Sequence, residues 1–183
     1  VTLSDSPRVE AFDTSVDRTL ERWRGKRRPI DRLFHSASII GDFSIIWHIT
    51  GVLVGVFIAH RFTESLWFSA LIGLESLIVN QGVKRLFRRT RPTETGDERF
   101  TVRKPRTSSF PSGHASAAFF AATLLTWWVG WGWAPLWFAM AAVVALSRAW
   151  VRIHHPSDVV GGVVVGLVLA LAAIATGLAG PLQ

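Results

Sequence analysis

The chain has 183 residues, of which 49% are hydrophobic, with a mean hydropathy of +0.32 and a formal charge of +7. Its apolar residues gather into runs too long for a soluble core, which argues against a soluble helical bundle. The chain contains no cysteine, so disulfide scaffolding and thiolate-ligated metals are excluded.

Residues 1–42 read as a basic, amphipathic N-terminal segment. Within it, Phe12, Val16, Leu20 and Trp23 fall on one helical stripe. That pattern suits a helix lying on a membrane, and equally a solvated tail that helps set topology. The basic cluster at Gly25–Pro29 breaks the stripe. Residues 29–42 then form a mixed approach in which Asp31, Arg32, His35 and Asp42 argue against a span. The first forty residues hold no apolar stretch of the kind a cleavable signal needs.

Residues 43–183 read as the membrane domain, an all-α integral membrane bundle. Spans are expected at 43–60, 65–82, 115–132, 134–151 and 159–179, each near the roughly 17–25 residues that cross a bilayer. Residues 93–110, with Gly96, Pro105 and many charges, are expected to form a polar surface loop. Trp127, Trp128, Trp131, Trp133 and Trp137 cluster at one short turn between spans, as in an interfacial aromatic belt. Gly162 and Gly166 in the last span have the spacing that lets helices approach closely. Such glycines permit a homodimer without requiring one. Glu75 stands alone in mid-span, and a partnership with His48 or a subunit contact is the expected reason for it.

Charge is unevenly placed. Of the 20 Lys and Arg residues, eight precede residue 43, nine lie between 83 and 106, two lie between 148 and 152, and Arg61 is alone. If the spans alternate, the first three groups share one face, which the positive-inside rule makes cytoplasmic. These basic segments are tethered at a bilayer, so anionic headgroups explain them better than nucleic acid does.

Three short segments at span edges carry the chemistry. Lys84 and Arg91 are seven apart, so on a continuing helix they share a face, and Pro92 would then end that helix. Alone, this is equally a basic stop-transfer cluster. In Pro111-Ser112-Gly113-His114, Ser112 suits a helix N-cap and Gly113 lets the backbone come close to a ligand. A helix start of this kind binds phosphate, and His114 is placed to donate a proton to a departing oxygen. An N-cap beside an interfacial His is the plainer reading of the same tetrapeptide. Ser147-Arg148 ends one apolar run, and His154 stands before a helix started by Pro156. Asp158, in the first turn, can orient the His154 ring through Nδ1 and leave Nε2 to attack phosphorus. The alternative is an Asp that merely caps the helix. His155 reads as a bystander. Alternating spans would bring all three segments to one face.

Together the segments resemble the type 2 phosphatidic acid phosphatase (PAP2) family, whose site is shared with vanadium haloperoxidases. All eleven signature identities are present: Lys84, Arg91, Pro92, Pro111, Ser112, Gly113, His114, Ser147, Arg148, His154 and Asp158. The resemblance implies a phosphohistidine on His154, oriented by Asp158, with His114 protonating the leaving group and then activating water. Lys84, Arg91, Arg148, Ser112 and the Gly113 amide would hold the phosphoryl oxygens. With no acidic cluster suited to Mg²⁺, no metal and no cofactor are implied.

The expected protein is therefore a multi-pass phosphatase of the inner or plasma membrane. It would hydrolyse a lipid phosphomonoester or pyrophosphate at its cytoplasmic face. Candidate substrates are phosphatidate, phosphatidylglycerophosphate and a prenyl-linked phosphate such as decaprenylphosphoryl-5-phosphoribose. An outward-facing site would instead suit undecaprenyl pyrophosphate. A vanadate-dependent haloperoxidase is a further alternative, which the long apolar runs argue against.

Overall fold

The computed structural model describes residues 6–92, 100 and 107–180. Most of the expected polar loop, residues 93–99 and 101–106, lies outside the described residues. Seven α-helices account for the rest: α1 Pro7–Glu21, α2 Arg28–Ile40, α3 Ile45–Phe57, α4 Phe62–Leu77, α5 Gly113–Val129, α6 Ala134–Trp150 and α7 Pro156–Ala175. Helices α1, α2, α6 and α7 begin with a proline in the first turn, where its missing N–H costs nothing. At the start of α5, Ser112 takes the N-cap position and accepts the Ala115 N–H. A π turn, Ile78–Gly82, and a tight 3₁₀ turn, Val83–Leu86, prolong α4.

Three stretches are long and apolar enough to cross a bilayer: Phe62–Leu86, Trp131–Trp150 and Pro156–Ala175. Helices α2 and α3 form a fourth candidate, a broken span bent by 69°. The bend follows from two consecutive residues in the left-handed region, Phe43 (φ 53°) and Ser44 (φ 59°). Helix α3 has 13 residues, about 20 Å at 1.5 Å per residue, and needs its bent neighbour to reach across.

Helix α5 is the centre, packed against α4, α6 and α7. It is buried on almost every side, by Ala115, Ala117, Ala118, Phe120, Ala121, Ala122, Leu124 and Leu125. Its neighbours bury one face and turn the other outward. In α4, Ser65, Phe68, Leu71, Ile72 and Glu75 are buried, while Leu66, Leu74 and Leu77 are exposed. An apolar outer face is what a membrane-embedded helix presents to lipid. Small residues set the closest approach. A Cβ at Gly162 or Gly166 of α7 would run into the α5 carbonyls of Ser112 and Ser116, so the glycine pair lets two backbones touch.

Two expectations are revised. Buried Glu75 does not pair with His48: its carboxylate accepts a hydrogen bond from Ser116 of α5. Of the tryptophans, Trp131 is 83% exposed at the α5–α6 turn, but Trp137 is buried and stacks on Trp133 at 5.9 Å. Indole rings here serve the core as well as the interface.

The N-terminal helices are packed onto the bundle, α1 against α7 and α2 against α6. Buried Arg24 caps the C-terminus of α6, donating to Trp150 O at 2.8 Å and Ala149 O at 2.7 Å. Trp150 Nε1 donates in turn to Asp31 of α2 at 3.0 Å.

Candidate active site

The N-termini of α5 and α7 meet at one point, tied by a 2.9 Å hydrogen bond from the Ser112 N–H to the Asp158 carbonyl. Two helix starts side by side present free N–H groups and the positive ends of two dipoles. Around them lie Lys84, Arg91 and Arg148, all buried. The Lys84 Nζ is 3.5 Å from the place a Cβ on Gly113 would occupy. Arg91 donates to Ile153 O at 3.0 Å and to Thr107 O and Ser108 O at 3.2 Å each. Arg148 reaches from α6 to the carbonyl and hydroxyl of Ser38 in α2.

Lys84 and Arg91 do not ride one helix, as their spacing suggested. Helical structure ends at Leu86, and Phe87 is already extended (φ −123°, ψ 143°). Pro92 therefore terminates no helix. The π turn ahead of Lys84 inserts an extra residue into the helical register, and the extended stretch beyond carries Arg91 back over the site.

His154 lies in the α6–α7 turn and is 3% exposed. Its Nε2 is 3.0 Å from Arg91 Nη1. A guanidinium only donates, so Nε2 carries the lone pair and the ring proton resides on Nδ1. That nitrogen faces Ser109 Oγ at 3.4 Å and Asp158 Oδ2 at 3.6 Å. Burial pushes the imidazole well below its usual protonation range, and the Arg91 and Arg148 cations act in the same direction. Asp158 opposes them by favouring the charged ring. At rest the ring is thus neutral, with its Nε2 lone pair turned to Arg91.

Asp158 is fully buried and well supplied with donors. Ser109 Oγ donates to its Oδ2 at 2.5 Å, and the His155 N–H to the same oxygen at 2.8 Å. Arg89 Nη1 donates to Oδ1 at 2.6 Å. Arg89 also donates to Ser157 Oγ at 2.7 Å and, through Nη2, to Asp13 Oδ2 at 2.6 Å. Asp13 projects from α1 and accepts the Ser157 N–H at 2.8 Å, so it caps α7 from outside the helix. Asp158 caps α7 through the His155 N–H, and the same carboxylate lies 3.6 Å from His154 Nδ1. One oxygen, Oδ2, makes both approaches. His155 supplies the cap position, and its ring is 3.3 Å from Thr90 O.

His114, in the first turn of α5, places Nε2 3.1 Å from Asp42 Oδ1. The α2–α3 bend thus reaches the second histidine. All eight residues expected at the site converge here. Ser109, Arg89, Asp13, Ser38 and Asp42 were not foreseen. Asp42 registered in the sequence only as a charge against a span. Asp13 sits next to Phe12 of the apolar stripe, and nothing in the sequence signals its burial. For Ser109 no one-dimensional signal exists beyond its closeness to Ser112.

The model of the PAP2 superfamily matches residues 64–178. A decaprenylphosphoryl-5-phosphoribose phosphatase of Mycobacterium tuberculosis is 34% identical over 130 residues, 70% of each chain. A putative undecaprenyl-diphosphatase of Escherichia coli is 32% identical over 99 residues, 54% of this chain and 50% of that protein. Among solved structures, LpxE of Aquifex aeolicus superposes with a TM-score of 0.73 at 19% identity, covering 96% of this chain and 99% of that one.

Proposed function

The chain belongs to the PAP2 superfamily, and from that premise we propose an integral membrane lipid phosphatase that works through a phosphohistidine on His154. The observation that carries this reading is the resting state of His154: a neutral ring, its Nδ1 proton turned toward Asp158 and Ser109, its Nε2 lone pair resting on Arg91. When a phosphoryl group takes over the Arg91 guanidinium, that lone pair is released toward phosphorus. Nε2 then forms the N–P bond as the P–O bond to the lipid breaks. His114 gives its proton to the leaving oxygen. Water next attacks phosphorus, losing a proton to His114, and the N–P bond breaks to release inorganic phosphate. Lys84, Arg91, Arg148 and the two helix starts stabilise the charge spread over the three equatorial oxygens. Fixed cations supply here what a divalent metal supplies at other phosphoryl-transfer sites, so turnover should persist in EDTA.

The substrate reading follows the 34% identical relative: a prenyl-linked sugar phosphate, its chain in the bilayer and its phosphate among the cations. The charge asymmetry supports a site on the cytoplasmic face. Purified protein in detergent, with EDTA, should release phosphate from a prenyl-linked phosphoribose faster than from phosphatidate or phosphatidylglycerophosphate. An opposite ranking would overturn the substrate. Full activity in His154→Ala would overturn the mechanism. A single cysteine introduced between 93 and 106 should resist impermeant thiol reagents in intact cells, and ready labelling would place the site outside. Undecaprenyl pyrophosphate, the second reading, is favoured by the Escherichia coli relative's name and requires that outward face.

A further inference from the structure

The bend between α2 and α3 precedes the segment matched by the family model, yet it forms one wall around His114. Gly41 packs so tightly there that a Cβ would lie 2.7 Å from His114 Cδ2. Asp42, next in the chain, puts Oδ1 3.1 Å from Nε2. This contact is at ion-pair distance but off the line of a hydrogen bond, and Nε2 has no hydrogen-bond partner among the described residues. A proton carried on Nε2 would lie beside that carboxylate. The charged groups facing the ring are Asp42 from the bend and Arg148 from α6, with Lys84 beside the adjoining Gly113. Burial disfavours an imidazolium first, Arg148 adds to that, and the Ser38 backbone of α2 contributes a weaker favourable dipole. Asp42 is the carboxylate that works against burial and Arg148 and favours the charged ring.

We propose that Asp42 is a positioning residue for His114, holding the ring against the α2–α3 bend and stabilising its protonated form as the lipid oxygen departs. The inference rests on His114 being the general acid of the reading above. Each histidine then has its own carboxylate: Asp158 for the nucleophile and Asp42 for the acid. Asp42 keeps a side-chain exposure of 24%, so substitution there does not bury an unpaired group.

The test compares Asp42→Asn, Asp42→Glu and His114→Ala on two substrates, the lipid phosphate and a nitrophenyl phosphate whose leaving group needs no proton. General acid catalysis is worth about 10²–10⁴ in rate, and loss of its support should remove part of that. Asp42→Asn should lower kcat on the lipid phosphate about 10- to 100-fold, with KM within about twofold. On the nitrophenyl ester the loss should stay under about threefold. The basic limb of the pH–rate profile should move to lower pH, because an imidazolium without its counter-charge gives up its proton sooner. Asp42→Glu should recover part of the rate. Equal losses on both esters, with a lowered unfolding temperature, would reduce Asp42 to a structural role and overturn the proposal. So would an unchanged rate in Asp42→Asn beside a crippled His114→Ala. Full activity in His114→Ala would instead sink the acid assignment itself, and this inference with it.

Discussion

The two histidines of this site are built on opposite plans. His154 is 3% exposed and gripped from within. Arg91, Ser109 and Asp158 meet its ring, and Arg89 and Asp13 hold Asp158 in place. Save Asp13, that shell comes from within the family-matched residues 64–178. His114 has a side-chain exposure of 16% and leans on Gly41 and Asp42, which precede that segment. A nucleophile must meet phosphorus in one orientation, which favours a rigid shell. A proton donor must serve whatever leaving group the substrate brings. On the proposed assignment, the nucleophile is held mainly from within the family-matched residues, while the acid leans on the bend that precedes them.

The sharpest break in this contrast is His154→Ala, which should lower phosphate release on the order of 10³-fold or more, since no covalent intermediate can form. Phosphoryl radiolabel retained on the variant after a brief pulse and an alkaline quench would contradict it. Next comes Arg89→Gln. It leaves Asp13 and Asp158 without their shared cation at side-chain exposures of 8% and 0%. Breaking a buried pair this way costs about 3–5 kcal/mol, which an equilibrium unfolding titration in detergent would register. Ser109→Ala should be milder, about 5- to 30-fold in kcat with little change in KM, because Asp158 keeps its Arg89 and His155 donors. A large rise in KM would show Ser109 touching substrate instead.

The smallest effect is one of pH. Protonation silences the nucleophile, and burial holds His154 well below its usual value of 6.5. Activity should therefore persist as pH falls through 6.5, and the acid limb of kcat/KM should lie lower. The same group makes the fold more stable above 6.5 than below it, since the unfolded chain takes up that proton first. An acid limb at or above 6.5 would mean that Asp158 outweighs the burial of the ring.

Much of this was legible in one dimension. Long apolar runs marked the helices, because a bilayer demands length and apolarity that any window can count. The residue types of the three segments marked the site, because a phosphate needs cations and helix starts wherever the fold puts them. What stayed hidden depends on third dimensions. Arg89 looked like one more member of a basic cluster, and only the extended stretch after Leu86 turns it toward Asp158. Lys84 and Arg91 were assigned to one helix face, since nothing in Ile78–Gly82 signals a π turn. Asp42 and Asp13 lie 72 and 145 residues from the groups they serve, His114 and Asp158, and no periodicity spans such distances.

The touching backbones of α5 and α7 carry a last consequence. With Gly162 and Gly166 pressed on α5, and Ser112 bonded to Asp158, the anion cradle and the carboxylate behind the nucleophile form one stiff piece. Fluctuations of the surrounding lipid act first on the exposed outer faces, such as that of α4, and this seam lies behind them. The α5–α7 seam should therefore keep Ser112 and Asp158 in register as the bilayer thickens, thins or curves. Gly166→Leu would wedge the seam open and should make turnover more sensitive to the acyl-chain length of the host membrane than it is in the unsubstituted chain.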